Sequence, residues 1–286
     1  MQVTTRLLVH ALIRVDGTVG ADELYRVAEL FGMSEQQVRL CVKRLVTEGR
    51  FTHEGRGRKA VLHAAADTLR ELAPELDFLQ LAYRQDTGLA PWDGRWHLAA
   101  FAVPESARPA RDALRECLRH LGGAPLQGGL YVCANAWEPY LREAAAELGV
   151  PDALTLCTTT DLCRGGLTDP VELAAALWPQ EEIAEGYRVL SRIAEPRLAR
   201  LTGTTALSPD ELLVIAIELA AELTRVMEPD PLLPLELLPR PWPGTRAREL
   251  FARCWTALRE GEAGGTPPIL FRRYAGASFP PAGPPG

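Results

Sequence analysis

Apolar positions at the front of the chain recur with helical spacing. Leu7, Leu8, Ala11, Leu12 and Val15 fall on one stripe, and Asp16-Gly17 ends the run. Leu24, Val27, Ala28 and Phe31 form a second stripe, with Asp22 and Glu23 favouring the N-terminal dipole of a helix over 21–31 and Gly32 closing it. Ser34 followed by Gln37 is a capping box that opens a third helix, and Gly49 is its natural stop. The pattern then shortens to strand-like runs around 50–53 and 60–63. They flank "EGRGRK", whose glycines allow a tight hairpin. Three helices followed by a two-stranded wing is the order of a winged helix-turn-helix.

A further helix is expected around 67–83, and "RQDTGLAPWDG" reads as a linker. "WHLAAFAV" (96–103) predicts a strand and 105–121 a helix. "PLQGGLYVCAN" is strand material with a glycine break, 137–148 a helix, and "ALTLCTTT" (153–160) a strand. That alternation predicts a small ferredoxin-like α/β unit. From 180 onward the pattern is helical over 181–201, 208–227 and 244–260. The proline-rich "MEPDPLLPLELLPRPWPG" forbids a regular helix between the last two. The expected fold class is α+β. It comprises an N-terminal winged helix-turn-helix (1–66), a linker helix and loop (67–95), a ferredoxin-like middle domain (96–165), a mainly α-helical C-terminal domain (166–262) and a flexible tail (263–286).

Composition narrows the function. Hydrophobic residues make up 47% of the 286 and charged residues 24%, the profile of a soluble globular protein. No apolar run approaches the ~20 residues of a membrane span. The first residues lack the basic region and cleavage site of a signal peptide, so the expected location is cytoplasmic, with no membrane partner. The six cysteines include no Cys-x-x-Cys pair and the five histidines are scattered. No metal or cofactor is therefore expected, and the thiols are read as reduced fillers of apolar faces.

Charge singles out one stretch. The net charge is −6, yet residues 34–64 hold seven basic and three acidic side chains, and Lys43 and Lys59 are the two lysines of the whole protein. Residues 1–63 carry a net of +3 and the remainder −9, which would orient the chain's approach to a polyanion. With Val38 at the centre of the third helix's buried face, Cys41, Val42 and Leu45 join it and Val46 lies at the margin. Gln36, Leu40, Lys43 and Thr47 point the opposite way, with Arg39 and Arg44 on the flanks. Such a face suits the major groove: Gln pairs with adenine, Arg or Lys with guanine, and an exposed Leu or Thr methyl meets a thymine methyl. Arg56, Arg58 and Lys59 on the hairpin would reach phosphates or a minor groove. The residues assigned to DNA are thus Gln36, Gln37, Arg39, Leu40, Lys43, Arg44, Thr47, Arg56, Arg58 and Lys59. The bland alternative is a winged helix used for protein contacts, its charges merely solvated.

The blocks "PWDGRWHLAAFAVPE", "RDALRECLRHLGGAPLQGGLYVCAN" and "DPLLPLELLPRPWPG" resemble the PaaX family of bacterial transcriptional repressors. Together with the winged helix they extend the resemblance over nearly the whole chain. It implies control of a catabolic operon and release of DNA when an aryl-CoA thioester binds. It also implies a middle domain similar to the small ferredoxin-like nuclease of CRISPR adaptation. That nuclease would need a carboxylate at the end of its first strand, but this chain reads Ala102-Val103-Pro104 there, so nuclease activity is not expected. A His-Glu pair typical of the family's last domain is Ala221-Glu222 here.

Candidate effector residues follow from chemistry and position. Trp92, Arg95 and Trp96 surround Asp93-Gly94, where the aromatics either line a pocket or pack the start of a strand. Arg108, Arg111 and Arg115, with Arg119, fall on one side of a helix and either meet the phosphates of a CoA moiety or form a solvated face paired with Asp112 and Glu116. The expected function is a homodimeric regulator that binds double-stranded operator DNA and is released by a small-molecule effector, for example a CoA thioester. The competing class is an enzyme acting on a CoA thioester or nucleic acid, with the winged helix as accessory. No nucleophile elbow or phosphate-binding loop supports it.

Overall fold

The structure, a computed structural model, describes residues 3–71 and 75–260. Three helices form where the apolar stripes recur: α1 (Thr5–Ala11), α2 (Ala21–Leu30) and α3 (Glu35–Thr47). The capping box of α3 is present. The Gln37 amide donates to Ser34 Oγ (3.3 Å), and the Ser34 amide donates to the Gln37 side chain (2.7 Å). Amides that the helix leaves unpaired thereby gain partners. Gly49, at φ 71°, takes the left-handed conformation that ends the helix without Cβ strain. The three helices pack together and bury Leu8, Leu12, Leu24, Val27, Val38 and Leu45. Each such side chain contributes about 1.5–3 kcal/mol on leaving water.

The adjoining sheet has three strands, one more than the sequence pattern suggests. β1 (Thr18–Gly20), β2 (Phe51–Glu54) and β3 (Val61–Ala64) pair antiparallel in the order β1-β3-β2. Three residues are too few to show alternation, and of these only Val19 is buried, opposite Leu62. Asp16-Gly17 is a turn into this strand: Asp16 Oδ1 accepts from the Thr18 amide (3.0 Å). The expected hairpin lies between β2 and β3, its tip a 3-10 turn over Gly57–Lys59. A second difference concerns α3. Cys41 and Val42 are half-buried, so the fully buried stripe is Val38 and Leu45 alone.

α4 (Ala66–Glu71) and α5 (Glu75–Asp86) follow, then a second sheet. Its elements are β4 (Trp96–Phe101), α6 (Arg108–His120), β5 (Ala124–Gln127), β6 (Leu130–Cys133), α7 (Glu138–Glu147) and β7 (Leu154–Thr159). The strands pair antiparallel in the order β5-β6-β4-β7. Ala99, Leu118, Tyr131, Cys133, Trp137 and Leu141 form the core between sheet and helices.

Helical structure resumes earlier than the pattern predicts, at α8 (Pro170–Leu177). Asp169 caps it, accepting from the Val171 and Glu172 amides at 3.0 Å each, and Pro170 sits where a missing N–H costs nothing. α9 (Gln180–Leu201), α10 (Pro209–Met227) and α11 (Pro243–Glu260) complete the described chain. The proline-rich stretch before α11 is tied to the sheet region by its backbone. The Leu232 carbonyl accepts from Gln85 Nε2 (2.8 Å) and Asn135 Nδ2 (2.9 Å). Gly122 lies so close to Pro231 that a Cβ there would sit 2.6 Å from the Pro231 carbonyl oxygen. The tail expected from 263 lies outside the described residues.

Two compact units result. Among the described residues, one gathers the chain up to Tyr83 with Val189–Arg225 and the helical residues from Arg246 to Glu260. The other gathers Arg84–Arg188 with Val226–Thr245. Among the described residues, no helix is long and apolar enough to cross a membrane.

Candidate nucleic-acid interface

Burying Val38 and Leu45 fixes the rotation of α3 and turns the opposite face outward. Gln36, Gln37, Arg39, Leu40, Lys43, Arg44 and Thr47 are all exposed. Leu40 is 59% exposed, an apolar side chain among the polar residues of this face. Arg56, Arg58 and Lys59 are exposed at the hairpin tip. The hairpin and α3 share a groove of about 570 Å³ whose walls include Arg39, Lys43, Thr47, His53 and Arg58. Tertiary structure has thus joined side chains from two separate stretches of the sequence.

Pairing decides which of these charges are available. Among the described residues, Arg39, Lys43, Arg44, Arg56 and Lys59 have no carboxylate within ion-pair distance. Arg58 differs. Its guanidinium is 2.8 Å from Glu35 at the start of α3 and 4.0 Å from Asp22 at the start of α2. The hydrogen bond to Glu35 raises the Arg58 pKa further above its ordinary value. Gln37 differs too, because its side-chain oxygen is engaged by Ser34 in the cap. Sequence reasoning found the residues of this face but missed Glu35. An acid at the first helical position reads as dipole compensation, and the wing that meets it is 23 residues away.

The effector candidates divide into two separate groups. Trp96 is buried, stacked on Trp178 (ring centroids 6.2 Å) and tilted against Trp92 (5.4 Å). Trp92 Nε1 donates to the Arg95 carbonyl, and the Arg95 amide donates to Asp93. This is packing at the start of a strand. On α6, Arg108, Arg111 and Arg115 each come within 3.5–3.7 Å of Asp112, and Arg119 is 3.9 Å from Glu116. No described contact links the tryptophans to this arginine row.

Two buried polar groups lie away from this face: His97, which the sequence did not single out, and Glu222 of the Ala221-Glu222 pair. His97, on β4, is buried with Nδ1 2.6 Å from Glu138 at the start of α7 and Nε2 3.5 Å from Asp93. It clips strand to helix. Glu222, whose neighbour Ala221 departs from the family pattern, is buried on α10 with Arg225 Nε 3.0 Å from its carboxylate. A second cavity of about 570 Å³ lies in the same unit as α2 and α3. Leu30, Pro196, Val214 and Ile215 line it together with the ion pairs Arg197–Glu218 and Arg200–Glu211.

Comparison with known proteins covers most of the chain. Residues 3–68 match the family described as PaaX-like protein, residues 89–174 the PaaX protein central Cas2-like domain, and residues 178–263 the PaaX-like protein C-terminal domain. No curated protein matches. Among solved structures, the uncharacterized protein Rv0674 from Mycobacterium tuberculosis is similar in fold (TM-score 0.54, 24% identity). The match covers 91% of this chain and 97% of that one.

Proposed function

The chain belongs to the PaaX family, and from that premise we propose that it is a transcriptional regulator that binds duplex DNA through α3 and the β2–β3 hairpin. One observation carries the reading: five exposed cations without carboxylate partners among the described residues, and an exposed Leu40, on and beside one helix face. A cation without an internal partner can neutralise a phosphate without first breaking an ion pair. An apolar side chain on the same face has a use against a thymine methyl, which water does not offer. The element order, with the hairpin beside the third helix, supports a winged helix-turn-helix. The β-α-β-β-α-β order of the second sheet, with strand order β5-β6-β4-β7, supports a ferredoxin-like domain.

We extend the reading to a homodimeric repressor released by an acyl- or aryl-CoA-like effector. Two reading helices suit a two-fold operator, and a ligand that prefers a DNA-incompetent arrangement would shift the population off DNA. The cavity beside α2 has the size of a small-ligand site, and its walls combine Leu30, Val214 and Ile215 with the cations Arg197 and Arg200 and their carboxylate partners. Footprinting on the intergenic DNA flanking the gene, repeated over a range of salt, tests the binding claim. The expected result is a protected pseudo-palindrome whose affinity falls steeply with salt. Uniform weak binding of every fragment, or none, would contradict it.

A further inference from the structure

Glu35, Arg58 and Asp22 form a charge cluster whose role rests on the DNA-binding reading proposed above. Three elements converge there: the first turn of α2, the first turn of α3 and the tip of the hairpin. Arg58 donates to Glu35 at 2.8 Å and stands 4.0 Å from Asp22. All three side chains are well exposed, so the cluster faces solvent in the free protein. The N-terminus of α3 is already capped by Ser34 and Gln37, so helix capping does not require Glu35.

The consequence is electrostatic. Glu35 lines the same groove as Arg39 and Lys43, on the face turned toward a polyanion. It places a negative charge among cations, and it occupies Arg58, the wing arginine with an internal partner. Exposed ion pairs of this kind contribute little to stability, so this one does not hold the hairpin in place.

We propose that Glu35 is a specificity-determining residue: by holding Arg58 it withholds one cation from the phosphate backbone and suppresses binding to non-cognate DNA. A phosphate contact withheld from every duplex alike would leave the ratio of cognate to non-cognate affinity unchanged. The ratio rises because the operator, held in register by base contacts, draws Arg58 off Glu35 and random DNA does not. Arg58 is then a residue held in reserve, unlike Arg56 and Lys59, which meet phosphates in any sequence.

The test is a salt titration of random-sequence duplex with the full-length protein and its variants. Glu35→Gln should tighten random-duplex binding several-fold and steepen log K against log salt by about 0.9, the signature of one added phosphate contact. In an Arg58→Ala background the same substitution should steepen nothing. Arg58→Ala alone should leave the random-duplex slope as in the parent, whereas Arg56→Ala and Lys59→Ala each flatten it by about 0.9. Thermal melts of the variants establish that each is folded. The same titration on operator duplex should show little change with Glu35→Gln. Unchanged or weakened random-duplex binding overturns the proposal, as does equal tightening on the operator or tightening that persists without Arg58. If the parent protein binds neither random nor operator duplex in a salt-dependent way, the DNA reading itself fails and this proposal falls with it.

Discussion

α3 and α6 are both thirteen-residue helices carrying several cations, yet they present them in opposite ways. On α6, Asp112 and Glu116 stand among the arginines, and Arg108, Arg111, Arg115 and Arg119 each have a carboxylate within 4 Å. On α3, Arg39, Lys43 and Arg44 have none among the described residues, and the one acid at its start, Glu35, is engaged by Arg58 from outside the helix. The number of basic residues on a helix therefore does not give the number left without a carboxylate partner. On the reading proposed above, the unpaired cations are the ones that meet a polyanion, because a paired arginine must first give up its carboxylate, at a cost of up to about 1 kcal/mol.

The largest expected effect separates the packed aromatics of the second sheet from the exposed apolar residue of α3. Trp96→Ala should cost about 3–5 kcal/mol of stability, because the side chain is fully buried against Trp178. Leu40→Ala should stay within about 0.5 kcal/mol, since a surface change removes little packing. Chemical denaturation reads both. A large loss in Leu40→Ala would mean that the outer face of α3 is packed, and the contrast would collapse.

Base reading comes next in size. Gln36→Ala should weaken operator binding by about 1–3 kcal/mol and relax preference at one position. Titration against the operator and its single-base variants measures this. Equal affinity across all of them would remove Gln36 from the reading face.

A smaller effect probes the unpaired charge of Arg44 through a neighbour. Burial raises the pKa of the thiols of Cys41 on α3 and Cys117 on α6, but Arg6 and Arg44 pull Cys41 back down. Since the thiolate is the reactive form, iodoacetamide should label Cys41 ahead of Cys117, and Arg44→Ala should slow Cys41. Cys133 and Cys254, both pushed up to about 12 by burial, should label last. Exposed Cys157 and Cys163 should label first.

Local signals in the sequence made much of this fold legible. The Ser34–Gln37 box, Gly49 and the glycines of the hairpin each determine backbone geometry within a few residues, and each stands where the pattern put it. β1 escaped because three residues carry no period, and α8 because it is only eight residues long and lies ahead of the helical pattern that is legible from 180 onward. The outward face of α3 was legible from angle alone. Its chemistry was only partly so, because Arg58–Glu35 and His97–Glu138 join residues 23 and 41 positions apart. Such pairs depend on how elements pack, which periodicity does not report.

The central claim is that the unpaired cations of α3 and the hairpin, and not the paired ones of α6, meet the DNA backbone. Salt titrations of duplex binding with two triple variants test it: Lys43→Ala/Arg56→Ala/Lys59→Ala against Arg108→Ala/Arg115→Ala/Arg119→Ala. The account predicts that the first flattens the log K versus log salt slope by about 0.9 for each phosphate that goes unneutralised, while the second leaves it unchanged. A slope altered by the α6 variant and indifferent to the α3 and hairpin variant would contradict it.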